Sequence, residues 1–236
     1  MAGRRAAGHN DPSPALARGS SPVSLTATHD RVKTDSLFPA TAMPDPDWWQ
    51  ALWPAPRDVI VALGVEAHME VIDLCCGDGW FTAPLASLAR QVYAIDIDER
   101  MLDQARQAVA AVGATNSEFL RADAYEIATI VPGSVDFVLM ANTFHGVPDK
   151  ARLARAIATI LQPGGAVAIV NWHQRPREET VVLGEPRGPR TEMRMSPEEV
   201  QGFFEPTDLR HNQTVELPPY HYGAVFEKPR VPSHAE

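Results

Sequence analysis

The stretch VIDLCCGDGWFT, residues 71–82, decides the fold. An apolar run ends in the acid Asp73, passes the paired cysteines Cys75 and Cys76, and reaches Gly77 and Gly79 before a helix is expected near Trp80. A buried strand that turns through glycines into a helix gathers free backbone amides and the positive end of a helix dipole at one point. In an open parallel sheet, ligands bind at that point, beyond the carboxyl ends of the strands.

Outward from this stretch the chain alternates. Apolar strands are predicted at about 70–75, 91–96, 117–122, 135–141 and 166–171, with mostly helical segments between them. Ser196-Pro197-Glu198-Glu199 predicts a helix start, with Ser196 as cap, Pro197 at the first helical position and Glu199 closing a capping box. Two more strands, about 210–217 and 222–228, flank the turn Pro218-Pro219-Tyr220-His221. The pattern predicts an α/β fold, a doubly wound and mostly parallel sheet with helices on both faces. The closing hairpin implies one antiparallel strand at its edge.

Residues 1–44 are rich in Pro, Ser, Ala and Gly without a sustained period, and are predicted to be a disordered tail. A single domain is predicted over 45–230, and 231–236 as a short tail. Its first part, 45–64, carries Trp48, Trp49, Leu52 and Trp53 at helical spacing, then a second short helix from about Arg57 to Leu63 that Gly64 ends. These tryptophans either pack into the core or form a lid over the ligand.

The 236 residues, 44% hydrophobic, suffice for one good core. A formal net charge of -9 argues against nucleic-acid binding, which needs a positive surface to release counterions. No apolar run reaches the roughly 18 residues of a membrane span, and the first residues lack the apolar block of a secretory signal. Two adjacent cysteines cannot staple distant segments, so the expected setting is reducing and cytoplasmic.

The acids at the strand ends indicate the ligand. A dinucleotide would want a third glycine at position 82 for close helix packing, and this chain has Thr82. S-adenosylmethionine has no phosphate and fits better. Asp73 is placed to meet its ammonium, Asp96 to accept from both ribose hydroxyls, and Asp123-Ala124 to read the adenine amino edge. An NAD-linked oxidoreductase and a cofactor-binding regulator without catalysis are the competing readings.

From about Val71 to Asn171 the chain resembles class I S-adenosylmethionine-dependent methyltransferases, in the small-molecule group that includes quinone-biosynthesis enzymes. After VIDLCCGDGWFT, the resemblance rests on AIDIDERMLDQAR (94–106), RADAYEI (121–127), VDFVLMANTFHGVPD (135–149) and LQPGGAVAIVNW (161–172). It implies a Rossmann-like seven-stranded sheet of order 3-2-1-4-5-7-6 with the last strand antiparallel. It also implies cofactor contacts from Asp73, the backbone at Cys75, Gly77, Gly79, Asp96, Ile97, Asp123, Ala124 and Asn142. One departure is Cys75, which stands where the family usually has glycine and is tolerated if its dihedrals stay in an allowed region.

The implied reaction moves a methyl group to a small organic acceptor. A base is needed if the acceptor carries a proton near neutrality. His145, past the fourth strand, and His173, past the fifth, are the candidates to position or deprotonate it. Soft-metal chemistry at Cys75 and Cys76 lacks a third thiolate, and adjacent side chains on a strand face opposite ways. The cysteines are therefore read as small buried residues, and no metal is expected. The stretch 173–196 is too long for a simple connection. Its Arg175, Arg177, Arg187, Arg190 and Arg194 among four glutamates are either a lid that meets an acidic acceptor or a solvated surface. Tyr220, His221 and Tyr222 line the same mouth or cap the hairpin.

Overall fold

The computed structural model describes residues 43–230, and the expectations for 1–42 and 231–236 lie outside them. Seven strands form one sheet: β1 (Glu70–Leu74), β2 (Gln91–Asp96), β3 (Ser117–Arg121), β4 (Val135–Ala141), β5 (Leu161–Trp172), β8 (Arg210–Leu217) and β9 (His221–Glu227). Their order is β3-β2-β1-β4-β5-β9-β8. Counting the final hairpin as strands six and seven, this is the order 3-2-1-4-5-7-6 that the resemblance implies. The first five strands pair in parallel, and β9 runs against β5. β8 in turn runs against β9, so the reversed strand lies one place in from the edge and β8 is outermost.

Alternation along the strands divides the core. Ile72 and Leu74 point to one face, with Tyr93, Ile95, Val138 and Met140, and α6 (Lys150–Ile160) and α7 (Pro197–Phe204) cover them. Val71 points to the other, with Val92, Phe137 and Leu139, beneath α1 (Pro46–Leu52), α2 (Pro56–Ala62) and α3 (Thr82–Leu88). Asp73 has the parity of Val71, so a carboxylate sits in the second apolar layer. Burial on both faces is why these parallel strands read as continuous apolar runs. α4 (Glu99–Ala111) buries Leu102, Ala105 and Val109 along one stripe, and α5 (Ile127–Ile130) is a single turn.

Two elements depart from the sequence reading. β5 starts at Leu161 rather than near 166, because Gly164 (φ +86°) lets the chain stay beside β4 through a register shift between Val135 and Phe137. The excursion after β5 holds a two-stranded hairpin, β6 (Val181–Val182) and β7 (Glu185–Pro186). Its two turn residues, Leu183 and Gly184, both have positive φ, as a tight hairpin turn with matching twist demands. Leucine carries no turn signature, so the hairpin could not be seen in the sequence.

Among the described residues no helix is long and apolar enough to cross a membrane. The capping box that starts α7 is formed as expected: Ser196 Oγ accepts from Glu199 N at 3.2 Å, and Glu199 Oε2 accepts from Ser196 N at 2.7 Å. Ser196→Ala removes the first of these bonds and is expected to lower the unfolding free energy by about 1 kcal/mol. A urea unfolding curve measures it, and an unchanged midpoint would mean that packing alone holds this helix.

Candidate functional site

The chain runs from β1 to β2 to β3 in one direction across the sheet, then returns to place β4 on the other side of β1. Where the order reverses, the loops after β1 and β4 part and leave a crevice. A cavity of about 780 Å³ opens there.

Asp73 forms its floor and is 2% exposed. Thr82 Oγ1 donates to Asp73 Oδ2 at 2.6 Å. Burial pushes the carboxyl up to about 7; the Thr82 bond opposes that rise, and the nearby Asp96 and Asp78 add to it. Thr82, which stands where a dinucleotide site would want glycine, is thus the hydroxyl partner of the buried acid. The sequence flagged the position but not this role. α3 begins there, two residues later than expected.

The loop between β1 and α3 is held to β2 by a second acid. Asp96 Oδ2 accepts from Gly77 N at 3.0 Å, and its Oδ1 accepts from Asp98 N at 2.9 Å. Burial raises this carboxyl as well. Asp96 and Ile97 line the cavity beside Gly77, and so do Asp123 and Ala124 on the next loop. Asp123 caps a turn of 3-10 helix there, accepting from Tyr125 N at 3.0 Å.

Gly79 is not among the residues lining the cavity. Its φ is +89°, and a Cβ there would lie 2.6 Å from Ala105 Cα, so this glycine lets α4 press against the loop rather than a ligand approach the backbone. Cys75 and Asn142 line the cavity at the tips of the neighbouring strands β1 and β4, with φ of +61° and +59°. Asparagine tolerates the left-handed region, whereas for cysteine it costs about 1–2 kcal/mol. Cys75 therefore adopts the backbone that glycine would have taken freely. Burial, then the carboxylates nearby, pushes both thiols well above their ordinary range, which keeps them protonated and inert. Among the described residues no group of three or more His, Cys, Asp or Glu could hold a metal.

The two candidate histidines part company. His145 lines the cavity and is 8% exposed, with neither ring nitrogen hydrogen-bonded. Burial, with Lys150 nearby, pushes it down to about 4, against an opposing pull from Asn171, so it is a neutral imidazole at neutral pH. Asn171 is buried beside it, although neither of its amide atoms makes a bond of ordinary geometry. His173 is not brought to the cavity. Its Nε2 lies 2.9 Å from Glu216 Oε2, because the strand alternation that turns Trp172 inward turns the next residue toward β8.

The aromatic segment packs into the core and also reaches the cavity. Trp49 and Trp53 are buried in the core, and Trp48 and Trp49 also line the cavity. Met43 and Pro44, assigned to the tail from sequence, line it too, with Met43 Sδ over Gly77. Tyr220 holds the β6–β7 hairpin, donating to Val181 O at 2.9 Å, and His221 is buried between Trp53 and Trp172.

The residues fit S-adenosylmethionine. Among the described residues a buried acid on the cavity floor has no cationic partner, and the Asn142 amide at the rim has no hydrogen-bond partner at either atom. A cavity of this size accommodates a nucleoside with an amino-acid arm.

Comparisons with known proteins agree. A family described as "Methyltransferase domain" matches residues 72–169. Ubiquinone biosynthesis O-methyltransferase of Ralstonia nicotianae is 30% identical over 172 residues, covering 66% of this chain and 71% of that protein. The same enzyme of Albidiferax ferrireducens is 29% identical over 164 residues, and the match spans 65% of each chain. A tRNA 5-carboxymethoxyuridine methyltransferase of Escherichia coli is 27% identical, over 52% of this chain and 47% of its own. Among solved structures, a SAM-dependent methyltransferase from Aquifex aeolicus superposes with a TM-score of 0.65 at 26% identity, covering 78% of this chain and 94% of its own. The chain belongs to the class I S-adenosylmethionine-dependent methyltransferases.

Proposed function

We propose that the chain transfers a methyl group from S-adenosylmethionine to a small organic acceptor. The observation that carries this reading is the buried Asp73 at the switch point of the sheet, which has no cationic partner among the described residues. Asp73 holds the ammonium, Asp96 and Ile97 the ribose, and Asp123 and Ala124 the adenine, while the backbone at Cys75 and Gly77 shapes the passage between them. The Asn142 amide faces the same ligand from β4. When bound, S-adenosylmethionine supplies a methyl group on positively charged sulfur, whose attack by the acceptor's lone pair leaves a neutral thioether. His145 lies on the acceptor side, and its neutral imidazole accepts a hydrogen bond or a proton from the acceptor. His173 has no part in this scheme, being committed to Glu216.

The net charge of -9 supports a small acceptor over a polyanion such as tRNA. The two free thiols support a cytoplasmic setting. The methyltransferase domain extends over about 45–230, with Met43 and Pro44 added to its aromatic flank.

Because Asp73 is raised to about 7, its folded form favours the proton. The resulting stability is fully present below the unfolded carboxyl value near 4 and is lost as pH rises toward 7. A cationic ligand must displace that proton. Calorimetry with S-adenosylhomocysteine is therefore expected to show affinity weakening below pH 7, approaching tenfold per pH unit, with a proton released on binding. Asp73→Asn is expected to bind more weakly with no pH dependence, and to unfold at a higher temperature than the parent at pH 8. Equal pH dependence in the two proteins would rule out this acid as the ammonium partner.

His145→Ala is expected to slow the chemical step about 100-fold at saturating cofactor while leaving S-adenosylhomocysteine affinity within threefold. His173→Ala is expected to leave the step unchanged. Single-turnover kinetics on both variants decide the matter, and a slow His173 variant beside a fast His145 variant would reverse the assignment.

A further inference from the structure

The walls of the cavity carry opposite charges. Asp73, Asp78, Asp96, Asp98 and Asp123 line the part built from the ends of β1, β2 and β3, where the one lining cation among the described residues, Arg100, is paired with Asp98 at 2.7 Å. Arg177 and Arg187 line the cavity from a different part of the chain, the excursion after β5. Neither guanidinium has a carboxylate within ion-pair distance among the described residues. Arg187 Nε is buried with no hydrogen-bond partner, and the guanidinium lies over the Trp48 ring, 5.4 Å from its centroid. A solvated surface arginine has neither property.

The segment that carries them is built rather than loose. Arg194, 3% exposed, sits at its centre. It donates to Pro189 O at 3.1 Å, Arg175 O at 3.1 Å, Arg187 O at 3.1 Å and Thr180 Oγ1 at 2.9 Å. Thr180 Oγ1 donates in turn to Arg187 O at 2.8 Å, and Arg187 N donates to Thr180 O at 2.9 Å. Arg177 N donates to Thr191 Oγ1 at 3.0 Å, and its Nε to Gly188 O at 3.1 Å. Gly188 lies flat on Trp172, where a Cβ would meet the ring at 2.7 Å. The backbone at both arginines is thus held by the segment's own hydrogen bonds, which lowers the ordering cost of binding.

Resting on the methyltransferase reading, we propose that Arg177 and Arg187 form an anion subsite, so that the acceptor is a small negatively charged molecule whose flat apolar body lies against Trp48. A planar guanidinium fork suits a carboxylate, and the aromatic wall suits a ring or an enol system. The acids at the strand ends repel the same charge, so the anion is directed to the acceptor end of the cavity and away from the cofactor end.

The test begins with a small-metabolite extract separated by charge into anionic, neutral and cationic fractions before any enzyme is added. Each fraction is incubated with the full chain and tritium-labelled S-adenosylmethionine. The expected result is label transferred to the anionic fraction, a fall of at least tenfold in Arg187→Gln, and partial recovery in Arg187→Lys. Both variants are expected to keep the parental thermal midpoint and S-adenosylhomocysteine affinity within threefold by calorimetry, which separates a lost subsite from a lost fold. Transfer confined to the neutral or cationic fraction, or an undiminished yield in Arg187→Gln, overturns the anion subsite and leaves the methyltransferase reading standing. No binding of S-adenosylhomocysteine by the parent removes that reading and this proposal together.

Discussion

The rest of the structure depends on a carboxyl group that the fold has no stability reason to bury. Asp73 sits at the end of the central strand, enclosed by the layer that contains Val71, Phe81 and Leu85, with one hydroxyl to answer it. A rise from 3.8 to about 7 corresponds to a penalty on the order of 4 kcal/mol for the ionised form, a large fraction of what a domain of this size has to spare. Such a group persists where something outside the chain completes it, and a ligand cation does so without altering the fold. The chain accepts strain at the same place in a second form, the left-handed backbone of Cys75 and Asn142. These features meet where the strand order reverses, the one place at which a parallel sheet parts its loops.

Much of this was legible in the sequence because it depends on short-range rules. Strand positions followed from runs of apolar residues, and the start of α7 from four residues of capping chemistry. Asp73, Asp96 and Asp123 were legible because each ends a strand. What was not legible depends on which way a side chain turns or what crosses above it. The glycine pair at 77 and 79 looked like two equivalent contacts, yet Gly77 faces the cavity and Gly79 faces Ala105. The two histidines each stood a few residues past a strand end. A 3-10 turn at Phe144–Gly146 folds His145 inward, while pairing with Glu216 holds His173 outward. No local pattern separates those outcomes. The β6–β7 hairpin escaped notice because its turn uses leucine at a position with positive φ, and tertiary anchoring by Tyr220 replaces the usual turn residues.

The five arginines between Arg175 and Arg194 illustrate how little a charge count reveals. In sequence they are one mixed patch. In the structure Arg194 is buried without a carboxylate at ion-pair distance among the described residues, and burial, with Arg177 nearby, lowers its affinity for the proton below the ordinary guanidinium value against an opposing pull from Glu178. It remains tolerable because its fork meets three backbone carbonyls and a hydroxyl while its face lies over Trp172, 5.1 Å from the centroid. Lysine has a single nitrogen and could not bridge acceptors from Arg175, Arg187 and Pro189 at once. The segment therefore has its own small polar core in place of an apolar one.

This division of labour bears on how specificity is built. The floor of the cavity comes from strand tips, whose positions are fixed by the pairing of β1 with β2 and β4. The walls that would contact an acceptor come from α1 and from the excursion after β5, whose tie to the rest of the cavity runs through Trp48, Trp172 and Tyr220. Side chains in those walls can change without disturbing strand register, since neither wall contributes a strand to the seven-stranded sheet. A floor fixed by strand pairing beneath walls that take no part in it is an arrangement in which the walls can differ while the floor stays as it is. In this chain those walls bring Arg177 and Arg187 to a cavity whose floor carries Asp73, Asp96 and Asp123, so one cavity holds groups of both signs drawn from different parts of the fold.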